Sequence, residues 1–306
     1  MGLLVSSIET LQQAIDAYIL FAKIEGRMPS TLITYQEAFA DLEDYLGSLD
    51  KLLSELSQEI FRNWIAERLR EGYAKATINI RLRVFRSLFH WLQREGYLQN
   101  NPTASVKLLR VPKQYPFVLN EEQVKQLLKA VNRTTFVGKR NWCILLMFLD
   151  GMLRLSELIN IRANDVNLQN QAVRIRHGKG EKERIIFMGR RLTRAMQDWF
   201  NARGFNSTDS YLFVTSKGYK LDQRNIARII ERLAKKARIH GVRCSPHTLR
   251  HTGATLFIRY GGDPFSLQRL LGHSDISTTM IYVHMAGTAL REAHAKASPV
   301  DRLLEG

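Results

Sequence analysis

Residues 246–251 of this 306-residue chain read Pro246-His247-Thr248-Leu249-Arg250-His251, and this stretch decides which fold the rest of the sequence fits. Proline favours the first turn of a helix, so His247 and Arg250, three residues apart, share one helix face. A phosphate group could bind to that face. His247 and His251 could instead belong to a zinc site, but no third or fourth ligand follows at a suitable spacing. A basic helix face without catalytic function is the other alternative.

A tyrosine lies downstream, in Thr278-Thr279-Met280-Ile281-Tyr282-Val283-His284, after the Gly272-His273 pair. Tyrosines in apolar helical segments usually belong to the core. Tyr282 departs from that expectation because of the order of the motifs before it. These are an arginine, a lysine in a glycine-rich turn, the His-x-x-Arg motif and the Gly-His pair.

The first arginine of this order lies in Asp150-Gly151-Met152-Leu153-Arg154-Leu155-Ser156-Glu157, at a junction between two predicted helices. Glu157, one turn later, could orient Arg154, although such a pair in isolation is usually a surface ion pair. The lysine is Lys179, in His177-Gly178-Lys179-Gly180-Glu181. Breaking a DNA phosphodiester without a metal needs a nucleophile, cations for the developing negative charge and an acid for the leaving oxygen. The sequence contains a candidate for each.

This ordered set of motifs resembles the tyrosine recombinase family, which includes the phage integrases and the Xer-type proteins. The resemblance covers the whole C-terminal half in order, and by pattern it extends to the helical N-terminal region. The catalytic residues that it implies are Arg154, Lys179, His247, Arg250, His273 and Tyr282.

The resemblance also implies a role for each of these side chains. Tyr282 attacks the DNA, while Arg154 and Arg250 clamp the scissile phosphate with the bidentate geometry of guanidinium groups. Lys179 protonates the leaving 5′ oxygen. His247 assists proton transfer from the tyrosine. The resulting phosphotyrosyl bond conserves the energy for rejoining, so we expect no metal and no other cofactor.

Three further positions complete the comparison with the family. His273 is expected to hydrogen-bond the phosphate, and Glu157 and His251 match supporting positions. One position departs from the family pattern, because Met152 stands where the family usually has glycine, two residues before the first arginine. We expect this substitution to alter the shape of the turn before Arg154.

The charge of the chain agrees with a nucleic-acid partner. Lysine and arginine number 45 against 29 aspartates and glutamates, which gives a formal net charge of +16 that attracts polyanions. An anionic membrane surface is the alternative, but no basic amphipathic helix or apolar anchor is evident, and we expect no membrane partner. We predict contacts to double-stranded DNA from Arg81, Arg83, Arg86, Lys107, Arg110 and Lys113.

Apolar spacing and breaker residues divide the chain into three parts. Residues 1–100 are predicted to form a SAM-like core-binding domain, because the apolar spacing is helical from about residue 8 to 96. Residues 101–117 are predicted to be a basic linker, since Asn100-Asn101-Pro102 breaks the last helix. Residues 118–306 are predicted to form the catalytic domain, ending in an oligomerisation segment.

Local signals mark several helix ends and one hairpin. Ser30 and Ser57 are predicted N-caps, and Gly47 and Gly96 are predicted helix ends. Asn120 with Gln123 predicts a capping box, and residues 171–188 predict a β-hairpin with a glycine-rich turn. The fold class is therefore mainly α with a small β-hairpin or sheet (α+β), as a helical core-binding bundle followed by a mixed catalytic domain of the tyrosine recombinase type.

The predicted function is site-specific DNA recombination through a 3′-phosphotyrosyl intermediate, by an Xer-like, transposon-borne or phage-borne enzyme. We expect DNA with inverted-repeat core sites as substrate and a homotetramer on that DNA, in which residues 286–297 dock onto a neighbouring protomer. A topoisomerase with the same chemistry, an architectural DNA-binding protein and a metal-dependent nuclease are the alternatives. No export signal is evident, so we expect a cytoplasmic, nucleoid-associated location.

Overall fold

The computed structural model describes residues 8–112, 115–176, 183–204, 211–287 and 300. The chain divides into two compact units, Met1–Lys113 and Gln114–Gly306. This division lies within residues 101–117.

The described residues of the first unit, 8–112, form a bundle of four helices, as the apolar periodicity predicts. Its core is rich in aromatic side chains, with Phe61 and Trp64 both in contact with the ring of Phe85. A 3-10 turn at Leu53–Glu55 lies between the second and third helices. The helices are α1 (Leu11–Ile24), α2 (Pro29–Leu46), α3 (Gln58–Arg70) and α4 (Lys75–Arg94).

The predicted helix ends in this bundle are correct except at Ser30. Ser57 is the N-cap of α3, and Gly47 ends α2 with a φ of 77°. Gly96 lies just beyond the end of α4 with a φ of 84°. The N-cap of α2 is Met28 and not Ser30, because Pro29 takes the first helical position, which proline favours, and Ser30 then falls inside the first turn.

Part of the predicted linker packs on this bundle. Thr103 and Val106 are buried. The side-chain amide of Asn79 accepts a hydrogen bond from the Leu109 N–H at 2.8 Å and donates one to the Leu109 carbonyl at 2.9 Å. Residues up to Leu109 are therefore held on the first unit, because their apolar side chains and backbone groups find partners there.

The second unit is mainly helical and contains a small sheet, in agreement with the predicted fold class. The capping box of α5 is present, with Gln123 N–H bonded to the Asn120 side chain at 2.8 Å. The helices are α5 (Glu121–Lys129), α6 (Phe136–Leu149), α7 (Leu155–Asn160), α8 (Arg190–Arg203), α9 (Gln223–Lys236), α10 (Pro246–Arg259), α11 (Pro264–Leu271) and α12 (Ser277–Ala286).

The sheet has the order β1-β2-β3 and is antiparallel. The predicted hairpin corresponds to β2 (Ala172–Ile175) and β3 (Arg184–Phe187), in which Ile175 pairs with Arg184. Its predicted turn lies outside the described residues. The short strand β1 (Val166–Asn167) is an addition that the sequence did not predict.

Helix α10 crosses close to the end of α6. A Cβ atom added to Gly253 would lie only 2.1 Å from the Leu149 carbonyl oxygen, so only glycine permits this approach. Beside this crossing, a small apolar cluster separate from the main core contains Tyr282 and the residues Met152, Ala254, Ile258, Leu267 and Leu271. The turn after α6 and the helices α10, α11 and α12 therefore converge.

Within the described ranges, no helix combines the length and the apolar character needed to cross a membrane.

Candidate active site

The candidate site begins at the turn between α6 and α7. Met152 in this turn has a φ of 48° and is buried, so it adopts a left-handed conformation that glycine reaches without strain. Arg154 follows as the N-cap of α7, and its backbone N–H donates to Glu157 at 2.8 Å. The turn thus presents the Arg154 side chain, which is 26% exposed, at the surface of the site.

Glu157 is buried and organises three arginines. Its carboxylate accepts a hydrogen bond from Arg154 Nη1 at 3.0 Å and two from Arg184, at 2.7 and 2.8 Å. Arg250 Nη1 lies 3.9 Å from the same carboxylate. Burial acts to raise the pKa of Glu157, but the hydrogen bonds and positive charge of Arg184 outweigh it and leave the pKa below its ordinary value. Glu157 is therefore an ionised anchor and not half of a surface ion pair.

Arg250 is fixed by two backbone carbonyl groups. Nη1 donates to the Met152 carbonyl at 2.6 Å, and Nη2 donates to the Leu271 carbonyl at 2.9 Å. Burial lowers the pKa of Arg250 to about 10, and the positive charge of Arg154 acts in the same direction. A guanidinium has five N–H donors, so these contacts orient Arg250 and leave donors for an anion.

His273 lies beside Arg250. Its Nε2 is 3.5 Å from Arg250 Nη2, and its Nδ1 is 3.0 Å from the Thr279 hydroxyl. Because a guanidinium can only donate, this arrangement favours the tautomer with the proton on Nδ1. Burial, followed by the positive charge of Arg250, lowers the pKa of His273 to about 4, so the ring is neutral near pH 7.

Tyr282 is 1% exposed, and its hydroxyl lies 2.8 Å from His251 Nδ1. Burial raises the pKa of Tyr282, and the charges of Arg250 and Arg154 oppose this effect only in part. Burial also lowers the pKa of His251 to about 4, with His247 and Arg250 contributing. The pair is therefore a neutral phenol beside a neutral imidazole.

One predicted catalytic residue, His247, is not the histidine in contact with the tyrosine hydroxyl. His247 is exposed, and its ring centroid is 6.5 Å from that of His251, so the histidine that contacts the tyrosine hydroxyl is His251 and not His247. Both histidines lie on one face of α10, but His251 is one turn further along the helix, where it meets the Tyr282 hydroxyl of α12. Lys179 lies outside the described residues.

Arg184 is a site residue that the sequence analysis missed. Besides its two bonds to Glu157, its Nε donates to the Leu270 carbonyl at 3.0 Å, so it ties β3 to α7 and to the end of α11. Its side chain is only 11% exposed. Strand alternation could have revealed it, since Arg184 and the buried Ile186 point to the same face of β3.

The predicted DNA-binding residues of the first unit differ in their exposure and in their contacts within the protein. Asp41 is buried and accepts hydrogen bonds from Trp64 Nε1, at 2.9 Å, and from the Arg81 guanidinium. Arg81 is therefore committed to a buried carboxylate, which requires a partner. Arg83, Lys107 and Arg110 are exposed and Arg86 is half-buried, while Lys113 lies outside the described residues.

Among the described residues, no three histidine, cysteine, aspartate or glutamate side chains come together as a metal site. The cationic groups at the candidate site are Arg154, Arg184 and Arg250. An anion is therefore the ligand that this part of the structure suits.

Comparison with protein families matches both units. Residues 118–288 match the phage integrase family, and residues 15–96 match the phage integrase N-terminal SAM-like domain. The tyrosine recombinase XerD of Ralstonia nicotianae is 34% identical over 299 residues, which cover 96% of this chain and 95% of that protein.

Two solved structures are similar in fold. The Tn1549 transposon integrase, in complex with a circular intermediate DNA, is similar with a TM-score of 0.77 and 20% identity, covering 97% of this chain and 100% of the other. The XerH site-specific recombinase, bound to a palindromic difH substrate in a post-cleavage complex, is similar with a TM-score of 0.75 and 20% identity, covering 93% and 84%.

Proposed function

Because the chain belongs to the phage integrase family and is an Xer-like site-specific tyrosine recombinase, we propose that Tyr282 is the nucleophile that cleaves DNA. The observation that carries this assignment is the hydroxyl of Tyr282, held 2.8 Å from His251 Nδ1 beside Arg250. No other tyrosine of the described residues is paired with a histidine in this way.

The DNA-free site is a resting state in this proposal. A phenol with a raised pKa does not transfer its proton to an imidazole whose pKa is about 4. A bound phosphate brings negative charge to Arg154 and Arg250 and offsets the effect of Arg250 on His251, whose pKa then rises. Substrate binding thereby makes His251 Nδ1 a better acceptor for the tyrosine proton, with His247 assisting from the exposed side.

Arg154 and Arg250 clamp the scissile phosphate, and Glu157 and Arg184 hold them in place. His273 requires a proton on Nε2 to donate to the same phosphate. In the DNA-free geometry Nε2 faces a guanidinium, so phosphate binding has to be accompanied by a shift of the proton from Nδ1 to Nε2 or by uptake of a second proton from solvent. The site is thus completed by its substrate.

The cleavage step forms a bond between the Tyr282 oxygen and phosphorus and breaks the bond from phosphorus to the 5′ oxygen. Lys179 supplies the proton for that oxygen. The tyrosine remains linked to the 3′ phosphate, and attack by a 5′ hydroxyl of the partner strand reverses the step. The guanidinium groups carry the developing charge, so we propose that the reaction needs no metal and proceeds in EDTA.

The assembly follows from the same chemistry. Exchange of strands between two duplexes requires four cleavages, and we infer a homotetramer on two inverted-repeat core sites, with the segment after α12 docked in trans. The structurally similar XerH is described on a palindromic substrate, which supports such a site. We also infer that the protein is located in the cytoplasm, on the nucleoid, because its DNA substrate is found there.

Substitution of the leaving oxygen by sulfur tests these roles. Lys179→Ala should slow cleavage, and a 5′-bridging phosphorothiolate should restore much of the rate because sulfur leaves without a proton. Arg154→Ala and Arg250→Ala should not be rescued, because they remove charge stabilisation. Equal rescue of all three variants would contradict the acid role of Lys179.

A further inference from the structure

A basic cleft lies between α6 and α8, two helices that carry none of the residues of the candidate site. It has a volume of about 1140 Å³. Five cationic side chains line it against one carboxylate, that of Asp198 on α8. The cations of this α6/α8 cleft are Arg133, Lys139, Arg190, Arg191 and Arg194.

The charges of this cleft are not compensated within the protein. No ion pair among the described residues includes any of the five cations, whereas the arginines around Glu157 and Asp41 all have carboxylate partners. Arg190, Arg191 and Arg194 are exposed. Like charges that share one cleft repel each other, so this arrangement is stabilised when an anion is bound.

The spacing of the cations suits a ligand that carries several anionic groups in a row. Arg190 and Arg194 are one helical turn apart on α8, about 6 Å along its axis, and project from the same face. Arg133 lies on the other wall, stacked on the Trp142 ring at 4.8 Å. Gly189, which adjoins Arg190 of the cleft, donates its N–H to the Asp150 carboxylate at 2.9 Å, so α8 begins beside the turn between α6 and α7.

We propose that the α6/α8 cleft binds the phosphodiester backbone of duplex DNA, outside the phosphate that Arg154 and Arg250 hold. Four of the five cations are arginines, whose planar forks match phosphate oxygens. An acidic protein segment fits less well, because protein interfaces depend on buried aromatic or apolar anchors. The aromatic ring of this cleft is already covered by Arg133.

The proposal rests on the proposed function only in that the ligand is DNA. It adds a sequence-independent contact surface to the catalytic unit, on helices that carry none of the proposed catalytic side chains. An experiment can therefore contradict DNA binding by the α6/α8 cleft without contradicting the proposed cleavage chemistry, and the reverse also holds.

The test compares two double variants in the full-length chain with Tyr282→Phe, which prevents covalent turnover. The cleft variant is Arg190→Gln with Arg194→Gln. The control is Lys125→Gln with Lys129→Gln, which removes the same charge from exposed positions one turn apart on α5, outside the cleft. Affinity for a random-sequence duplex is measured as a function of salt concentration.

The cleft variant should bind more weakly, and its log–log salt slope should fall by about 0.9 for each phosphate that it no longer neutralises, close to 2 in total. The control should keep the original slope. Equal slopes for the cleft variant and the unsubstituted protein would overturn the proposal.

Arginine modification with mass-spectrometric detection identifies the ligand class. Duplex DNA should protect Arg190, Arg191 and Arg194 from an arginine-specific glyoxal, and polyglutamate should not. Protection by polyglutamate alone would assign the cleft to an acidic protein and overturn the proposal. With Tyr282 restored, the cleft variant should still form the covalent adduct on nicked recombination-site DNA, so a defect in cleft binding is distinguishable from a defect in the chemistry.

Discussion

Met152 combines two properties that usually exclude each other. Its backbone has a φ of 48°, which costs a residue with a Cβ atom about 1–3 kcal/mol, and its side chain is buried in the cluster that contains Tyr282. Its carbonyl also orients Arg250 at 2.6 Å. The family pattern has glycine here, and in this chain the side chain that replaces it packs beside the proposed nucleophile.

The strain at Met152 predicts an inverted order of stability for two substitutions. Both Met152→Ala and Met152→Gly remove the buried thioether, at a cost of about 2–5 kcal/mol. Alanine keeps the backbone strain and glycine releases it, so the glycine variant should be the more stable by about 1 kcal/mol, the reverse of the usual order. Denaturant unfolding of both variants measures this difference, and a more stable alanine variant would contradict the strain.

The half-buried histidines His251 and His273 predict how stability depends on pH. Burial lowers the folded-state pKa of His251 and of His273 to about 4, below the ordinary 6.5, so the unfolded chain binds more protons between these values. Their contribution is fully present above pH 6.5 and is lost as the pH falls towards 4, by at most about 1.4 kcal/mol per pH unit for each histidine.

Chemical unfolding of the free protein across this range measures the effect. His273→Asn should give a shallower fall in the free energy of unfolding than the unsubstituted protein, because one titrating group is gone. His240→Asn is the matched control, since His240 is an exposed histidine outside the site. If the free energy of unfolding had the same pH dependence in all three proteins, the lowered pKa of His273 would be contradicted.

At the scale of elements, the crossing of α10 on α6 depends on one glycine. Gly253→Ala should favour helix formation by about 1 kcal/mol, yet the new Cβ would meet the Leu149 carbonyl at 2.1 Å. We expect the clash to dominate and to lower the free energy of unfolding by about 1–3 kcal/mol. Because α10 also carries Arg250 and His251, cleavage should slow as well.

Thermal unfolding and a cleavage assay measure these two effects. Ala254→Gly, at the next position of α10, is the comparison that removes a methyl group where no close approach requires glycine. An unchanged or raised stability of the Gly253→Ala variant would show that the two helices are not packed as described.

The helices and strands also show which features of the structure can be predicted from the sequence. The helical bundle, the hairpin and the mixed second unit were predictable because apolar periods of 3.6 and 2 are local properties of the chain. The predicted N-cap at Ser30 was wrong because Pro29 occupies the first helical position and the helix begins before Ser30. The convergence of Arg184, Glu157 and Arg154 could not be predicted from spacing, since it depends on how β3 packs against α7 and α11.

The contact of His251 with Tyr282 was missed for a similar reason. His247 and His251 are one turn apart, so helical spacing places both side chains on the same face of α10. Only the position of α12 decides between them, because α12 carries the hydroxyl that His251 contacts. Which of two histidines on one helix contacts the tyrosine can thus be predicted only when the position of the neighbouring helix is known.

At the scale of the whole molecule, the proposed homotetramer requires that its protomers be coupled. Helix α12 ends at Ala286, and Gly287 follows with a φ of 62°. The predicted docking segment after it lies outside the described residues. A chain truncated after Gly287 should bind a single half-site with unchanged affinity and should fail to form tetramers or recombinant products, as gel mobility and product analysis measure. Full recombination by the truncated chain would contradict docking in trans.

The central claim is that Tyr282 forms the covalent link to DNA, and one measurement tests it most directly. The protein is incubated with nicked recombination-site DNA, denatured and digested, and the DNA-linked peptide is identified by mass spectrometry. The Tyr260→Phe variant is the control, because Tyr260 is 68% exposed at the end of α10 and has no proposed catalytic role. We predict a 3′-phosphotyrosyl adduct on Tyr282 in the unsubstituted protein and the control, and none in Tyr282→Phe, which should still bind the DNA. An adduct on another residue, or one that persists in Tyr282→Phe, would contradict the claim.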